Sequence, residues 1–220
     1  VENSIEGMVS ITLDLLTETN LSIVDEVFLP VSLSIASRMH SLSEVKTVYS
    51  HYQPLAQCHN WLSANLKGVR FIETSSSAEA AHLAAGEAGS AAICSDYAAE
   101  KHGLTVLEKS VEDNTENTTR FLVLGKLKRK RSDNDKTSLI LSVADRPGAL
   151  FSMLKPFADK NINLTKIESR PIKKRAWEYL FFIDFDGYQN DSGTLDVIEA
   201  LEKESKFLKV LGSYPKVDFC

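Results

Sequence analysis

Apolar positions along this chain change their period several times, and each change marks an element. Val9, Leu13 and Leu16 share one helical face, with Ile11 and Leu15 alongside, which predicts a helix ending near Thr17. Over residues 21–31, Ile23, Val27 and Leu29 sit among polar neighbours and Pro30 follows, the pattern of a strand ending at a sheet edge. Residues 32–40 have the composition of a short helix or loop. Short apolar runs at 45–49, 69–72, 91–94 and 104–107 read as strands, with helical patterns over 50–65, from Ser76 to an end at Gly86 or Gly89, and over 96–102 between them. Strands alternating with helices predict an α/β domain whose ligand cleft lies at strand carboxyl ends, among helix N-termini. Phe121, Leu122, Val123 and Leu124 read as a further buried strand, entered from the polar, turn-forming run 113–119. A hydroxyl at that junction, Thr118 or Thr119, either satisfies the turn backbone or stands rigidly at the mouth of a cleft.

Residues 125–136, GKLKRKRSDNDK, break the pattern with basic residues among Ser, Asp and Asn. The pattern then restarts: strand 138–143, helix 149–160, strand 163–170, strand 177–184, helix 193–204 and strand 206–211. That βαββαβ order is the ferredoxin-like arrangement. Between its first strand and first helix lies Asp145-Arg146-Pro147-Gly148, where the glycine permits close backbone approach to a small ligand. Leu150 and Leu164 read equally well as core.

Charge and composition narrow the functional classes. With 25 basic and 30 acidic residues the net charge is -5, which argues against a general nucleic-acid binder and makes 126–136 a solvated linker. No apolar run approaches the roughly 18 residues of a membrane span. Cys58, Cys94 and Cys220 lack CxxC spacing, as expected of reduced thiols in a cytoplasmic protein, with Cys58 and Trp61 as core. His40, His51, His59, His82 and His102 show no metal-ligand spacing, and no phosphate-binding glycine loop or G-x-S-x-G turn occurs. Neither a metal nor a cofactor is expected.

The remaining chemistry gathers at helix starts. Ser50-x-x-Gln53 forms a capping box, with Pro54 in the first turn and His51 beside it. Ser76-x-x-Glu79 forms another, preceded by Thr74 and Ser75. Asn3 and Ser4 suit a helix cap or an anion site ahead of the first helix.

ENSIEG (2–7), SHYQPLAQC (50–58), TSSSAEAA (74–81) and NTTRF (117–121), in this order, resemble the prephenate dehydratase family. GALF (148–151) and ESRP (168–171) resemble the phenylalanine-sensing ACT domain fused to that catalytic domain. The resemblance implies a periplasmic-binding-protein-like, two-lobed catalytic domain over 1–125, a linker over 126–136 and an ACT domain over 137–220. Family members carry a further N-terminal segment with a Gly-Thr-Phe motif, so the first lobe is expected to be incomplete here. Ser77 stands where Thr is common.

The implied reaction is decarboxylating dehydration of prephenate to phenylpyruvate, water and CO2, without a cofactor. By resemblance Thr119 is the proton donor. Glu2, Asn3, Ser4, Gly7, Ser50, His51, Gln53, Thr74, Ser75, Ser76, Asn117, Arg120 and Phe121 bind substrate. Arg120 has a second reading from strand alternation, which points it away from Thr119 and toward an acid in the fold. L-Phenylalanine would be held by Gly148, Ala149, Leu150, Asn163, Leu164, Thr165, Glu168, Ser169, Arg170 and Pro171, at an interface between two subunits of a homodimer or homotetramer. Arogenate dehydratase, and a catalytically silent phenylalanine-binding regulator, are the alternatives.

Overall fold

The structure, a computed structural model, describes residues 1–127, 129–143, 146–171 and 179–217. Its contacts divide the chain into two units: Leu29–Thr119, and Val1–Phe28 together with Arg120–Cys220.

The chain opens with a hairpin of β1 (Glu2–Asn3) and β2 (Gly7–Met8), then α1 (Ser10–Glu18) and β3 (Ser22–Pro30). Asn3 and Ser4 cap no helix. The Asn3 Oδ1 accepts from the backbone N–H groups of Ile5 and Glu6, both at 3.0 Å, and closes the hairpin turn instead. The helix starts after Val9, which offers no side-chain cap.

In the Leu29–Thr119 unit the elements are β4 (Ser34–Ser37), β5 (Thr47–Ser50), α2 (Tyr52–Gln57), α3 (His59–Asn65), β6 (Arg70–Glu73), α4 (Ser77–Gly86), β7 (Ser90–Cys94), α5 (Asp96–Lys101) and β8 (Thr105–Glu108). Five strands form one sheet in the order β6-β5-β7-β4-β8. β5 runs parallel to β6 and β7, and β4 runs antiparallel to β7 and β8. Strand alternation sends Ile35, Val48, Ala91 and Ile93 to one face, against Cys58, Leu62 and Leu66. Ala36, Tyr49, Ala92 and Cys94 go to the other, against Ala80, Ala81, Ala84 and Ala99. The alanines let α4 lie close to the sheet.

Two expectations fail in this unit. Residues 34–37 form a fully buried central strand rather than a helix or loop. Its serines are tolerated because Ser37 Oγ donates to the Ser90 carbonyl at 2.6 Å and Ser34 Oγ to Asp96 at 2.6 Å. The helix expected over 50–65 breaks at Cys58. There Asp113 accepts from the N–H groups of Asn60 and Trp61, at 3.0 and 3.2 Å, and starts a second helix.

The other unit continues with β9 (Thr118–Gly125), β10 (Asp135–Val143), α6 (Ala149–Asp159), β11 (Leu164–Pro171), β12 (Tyr179–Asp186), α7 (Ser192–Glu204) and β13 (Ser205–Pro215). β9 joins the N-terminal strands in the order β2-β1-β9-β3. It is not the buried strand expected: Arg120 is buried, while Phe121 and Val123 are 47% and 41% exposed. The C-terminal sheet has the order β11-β12-β10-β13, all antiparallel, which is the ferredoxin-like topology. β10 takes in Asp135 and Lys136, the last two residues of the basic stretch. Both faces of this sheet are covered. Leu139, Leu141, Ile183 and Phe185 pack on Met153, Phe157, Val197 and Leu201 of the helices. Ile140, Phe182, Leu211 and Tyr214 pack on Leu13, Leu16 and Ile23. Burying those three aliphatic side chains contributes about 1.5–3 kcal/mol each.

Candidate active site

Because β5, β6 and β7 are parallel, their carboxyl ends share one edge of the sheet, and α2, α4 and α5 all begin there. The Thr74 N–H donates to the Ser50 carbonyl at 2.9 Å, so the ends of β5 and β6 are locked side by side. Ser50 does not cap α2 as expected. Its Oγ donates to the His51 carbonyl at 2.9 Å, while His51 Nδ1 accepts from the Gln53 N–H at 3.4 Å and is itself the cap. That leaves Nε2–H as the donor of the ring.

At α4 the expected box is half formed. Ser76 Oγ accepts from the Glu79 N–H at 3.1 Å. The Glu79 carboxylate turns to Ser75 instead, accepting from its N–H at 2.7 Å and its Oγ at 2.6 Å. Those two bonds hold the Glu79 carboxyl below the usual carboxylate range. Thr74 Oγ1 donates to the Ser76 carbonyl at 3.0 Å. The hydroxyls of Thr74 and Ser75 are therefore fixed in direction as donors, each with an acceptor lone pair left, whereas Ser76 is held through its oxygen as the cap.

The loop after β8 returns along the same edge. Glu112 accepts from the Leu33 N–H at 2.8 Å, and the Val111 N–H donates back to the Leu33 carbonyl at 2.9 Å. Asn117 is buried; its Nδ2 donates to Gln57 Oε1 at 3.2 Å, and its carbonyl accepts from the Val31 N–H at 2.8 Å. Thr118 and Thr119 follow at once, at the start of β9 and partly buried. At the third helix start Ser95 caps α5, and Asp96 is held below the usual range by Lys109 and then by Ser34.

Neither buried thiol of this unit is a nucleophile. Burial pushes Cys58 up to about 12, and Cys94, at the carboxyl end of β7, up to about 11. Among the described residues no three His, Cys, Asp or Glu side chains gather as a metal site would require.

Ser50, His51, Gln53, Thr74, Ser75 and Ser76 thus come together at adjoining strand ends of one unit, and Asn117 belongs to the same unit, held by Gln57 and Val31. Glu2, Asn3, Ser4, Gly7, Arg120 and Phe121 belong to the other. Glu2 pairs with Lys166 and lies 3.7 Å from Arg120. Arg120 is sequestered among Glu26, Asp184 and Tyr214, the second of its two sequence readings. Sequence reasoning missed Glu79 as the holder of Ser75, although Glu at the third helical position was the signal. It also missed Asp113, which no local pattern marks.

In the C-terminal module the candidate effector residues split into two groups. Gly148 caps α6 with φ +78, and among the described residues no atom beyond its chain neighbours lies within 4 Å of where a Cβ would stand. Leu150 is 46% exposed and is not core. The register pairs Arg170 with Leu180, and Leu180 with Ser142, so 168–171 lie at the end of the sheet where α6 begins. Leu164 pairs with Phe185, and Phe185 with Thr137, at the opposite end. Leu164 and Arg170, six residues apart along the strand, stand about 20 Å from one another. Arg170 faces α1, with Asp14 at 3.3 Å and the Ser10 carbonyl as its partners.

An open α/β sheet with hydroxyl-bearing helix starts along its carboxyl edge is the arrangement in which α/β folds hold small ligands, and a βαββαβ module follows it in the chain. The chain belongs to the prephenate dehydratase family. Residues 1–129 match the family's profile, Prephenate dehydratase, and residues 137–203 match the ACT domain. Over 216 residues it is 44% identical to the bifunctional chorismate mutase/prephenate dehydratase of Aquifex aeolicus, covering 98% of this chain and 60% of that protein. It is 37% identical to the prephenate dehydratase of Methanocaldococcus jannaschii, covering 99% of this chain and 80% of the relative. The crystal structure of prephenate dehydratase from Arthrobacter aurescens in complex with L-Phe superposes with a TM-score of 0.84 at 34% identity, covering 96% of this chain and 71% of that one. The chain spans 60% of the length of the Aquifex relative.

Proposed function

We propose that the full-length protein converts prephenate to phenylpyruvate, water and CO2, under feedback control by phenylalanine. The observation that carries this reading is the carboxyl edge of β5 and β6, where Ser50 and Thr74 are locked together and three hydroxyl side chains, Thr74, Ser75 and the cap Ser76, stand at the start of α4. Prephenate is a dicarboxylate, and a ten-residue helix that starts in hydroxyls, with its positive dipole end beside them, suits an anion.

In the reaction the bond from the ring to its carboxylate breaks and CO2 leaves. The bonding electron pair enters the ring, and the C–O bond at the far ring carbon breaks. The departing hydroxyl takes one proton and leaves as water. The balance is redox-neutral and driven by aromatisation. The protein has to orient the dianion and supply that proton. Thr119 is the donor, acting through a hydrogen bond that strengthens as the C–O bond breaks. Ser50, His51, Gln53, Thr74, Ser75, Ser76 and Asn117 orient the substrate.

The test is turnover by the full-length protein offered prephenate or arogenate, followed as phenylpyruvate or phenylalanine. The expected product is phenylpyruvate from prephenate. A preference for arogenate replaces the substrate, and no turnover of either leaves a regulator.

Effector binding follows from the split in the C-terminal module. Gly148, Ala149 and Leu150, with Glu168, Ser169 and Pro171 nearby, offer one half of a site. Asn163, Leu164 and Thr165 offer the other, at the opposite end of the sheet from the start of α6. One phenylalanine touches both halves only if two modules, from two copies in a homodimer or homotetramer, run antiparallel. Calorimetry should then give one phenylalanine per chain with apparent affinity falling on dilution below the dimer dissociation constant. Undiminished affinity in a monomeric sample would sink the two-copy site.

A further inference from the structure

The side chain of the residue after Thr119 is bonded at all three of its nitrogens. The Nε of Arg120 donates to Glu26 Oε2 at 2.8 Å, Nη1 to Asp184 Oδ2 at 2.7 Å and Nη2 to Tyr214 Oη at 2.9 Å. Ser138 Oγ donates to Asp184 Oδ1 at 2.5 Å and lies 2.6 Å from Tyr214 Oη. Lys136 Nζ donates to Glu26 Oε1 at 2.8 Å. Two cations thus face two carboxylates, and all four residues are buried. Burial alone would lower the pKa of Arg120, but Asp184, Tyr214 and Glu26 outweigh it and raise the value. Burial, with Asp184 adding to it, raises the phenol of Tyr214, which stays a neutral link between guanidinium and Ser138.

The cluster joins two parts of the sequence. Arg120 and Glu26 lie within the residues that match the catalytic family, whereas Ser138, Asp184 and Tyr214 come from β10, β12 and β13 of the C-terminal sheet. Stability alone does not call for such a cluster, since well-packed apolar residues often do as well in place of buried ion pairs. Its placement adds a second role. Asp184 stands opposite Lys166 in the β11–β12 register, one residue beyond the effector segment 163–165, where the ladder shifts register between Leu164 and Lys166. A short covalent and hydrogen-bonded path therefore runs from that segment through Asp184 to Arg120, and by one peptide bond to Thr119.

We propose that Arg120 is a positioning residue, whose guanidinium ties the backbone carrying Thr119 to the sheet of the C-terminal module and passes the ligand state of that module to the proton donor. This rests on the function proposed above. Effector binding that changes the β11–β12 ladder changes where Asp184 holds the fork, and one of two settings misplaces the Thr119 hydroxyl. A misplacement on the order of 1 Å is enough to lower turnover by roughly 100-fold. The effector then inhibits without touching substrate, by favouring that setting.

The experiment is Arg120→Lys in the full-length protein, which keeps the charge but gives up the planar fork. Four quantities are read: kcat, KM, phenylalanine affinity by calorimetry and the extent of inhibition at saturating phenylalanine. The expected result is kcat down by roughly 10- to 100-fold, with KM and phenylalanine affinity within about twofold of the parent and the extent of inhibition at least halved. Unchanged kcat and full inhibition would overturn the proposal. So would a parallel fall of kcat and phenylalanine affinity tracking the loss of folded protein by circular dichroism, the signature of a structural role alone. If Arg120→Lys does not fold, Tyr214→Phe removes one hydroxyl from the cluster and is read in the same way, with weakened inhibition at unchanged affinity expected. A parent that neither turns over prephenate nor binds phenylalanine defeats the functional reading, and the coupling with it. A parent that does both while its variants stay fully inhibited defeats the coupling only.

Discussion

Replacing Thr119 by alanine in the full-length protein should lower turnover by roughly 10²- to 10⁴-fold while substrate binding is kept. The threonine follows Asn117, whose side chain and carbonyl are both anchored, and precedes Arg120, whose guanidinium is anchored three times. Its backbone is therefore held on both sides, as a hydroxyl that must meet a departing oxygen requires. The alanine variant loses the proton donor and little else, so the loss belongs in kcat rather than KM. Thr118→Ala is the control. It sits one position earlier on the strand, where alternation turns it to the side of Arg120, and its effect should be mild. Steady-state rates for Thr119→Ala within about threefold of the parent would remove this residue from the role.

The largest stability effect should come from Gly212→Ala. Gly212 lies in β13 with φ +149, and an added Cβ would stand 2.2 Å from the Ile23 carbonyl oxygen and 3.1 Å from its nitrogen. Both atoms are backbone, so no side chain can swing aside. β3 and β13 would have to part, opening the core in which Ile23 and Leu211 pack with Tyr214. A loss of roughly 3–5 kcal/mol is expected, equivalent to about 6–20 °C in Tm for a protein of this size. Gly148→Ala provides the contrast. Its φ of +78 is strained for alanine, but among the described residues nothing beyond its chain neighbours lies within 4 Å, so only about 1–2 kcal/mol is at stake. Thermal unfolding of the two variants side by side decides the matter. A Tm for Gly212→Ala within about 2 °C of the parent would show that the strands yield cheaply.

What could be read from the sequence was what local rules determine. The βαββαβ order, the alternating strands and helices, and the cap at Ser76 all follow from patterns shorter than one element. The failures share a different cause, which is that distant partners decide the outcome. The helix break at Cys58 is made by Asp113, 53 and 52 residues from the two N–H groups it binds. Strand 34–37 has poor strand residues and forms because Ser90 and Asp96 take up its hydroxyls. Four consecutive apolar residues after Arg120 suggested burial, yet alternation leaves Phe121 and Val123 largely exposed. The sites divide in the same way. The motifs marked Ser50, Thr74 and Ser75, but gave no hint of Asp184 or Tyr214, 64 and 94 residues from the guanidinium they hold.

The placement of residues 148–150 and 163–165, the two proposed effector half-sites, at opposite ends of the sheet has a genetic corollary. In a dimer whose sites each take residues 148–150 from one copy and 163–165 from the other, two defective alleles can repair one another. Suppose one copy is altered at Gly148 and the other at Asn163. The mixed dimer then carries one site with both lesions and one with neither. Co-expression of two variants, each deaf to phenylalanine alone, would restore feedback to part of the population, whereas two lesions within the same half-site would never complement. Dominance relations among regulatory mutants would thus reveal which residues share a half-site.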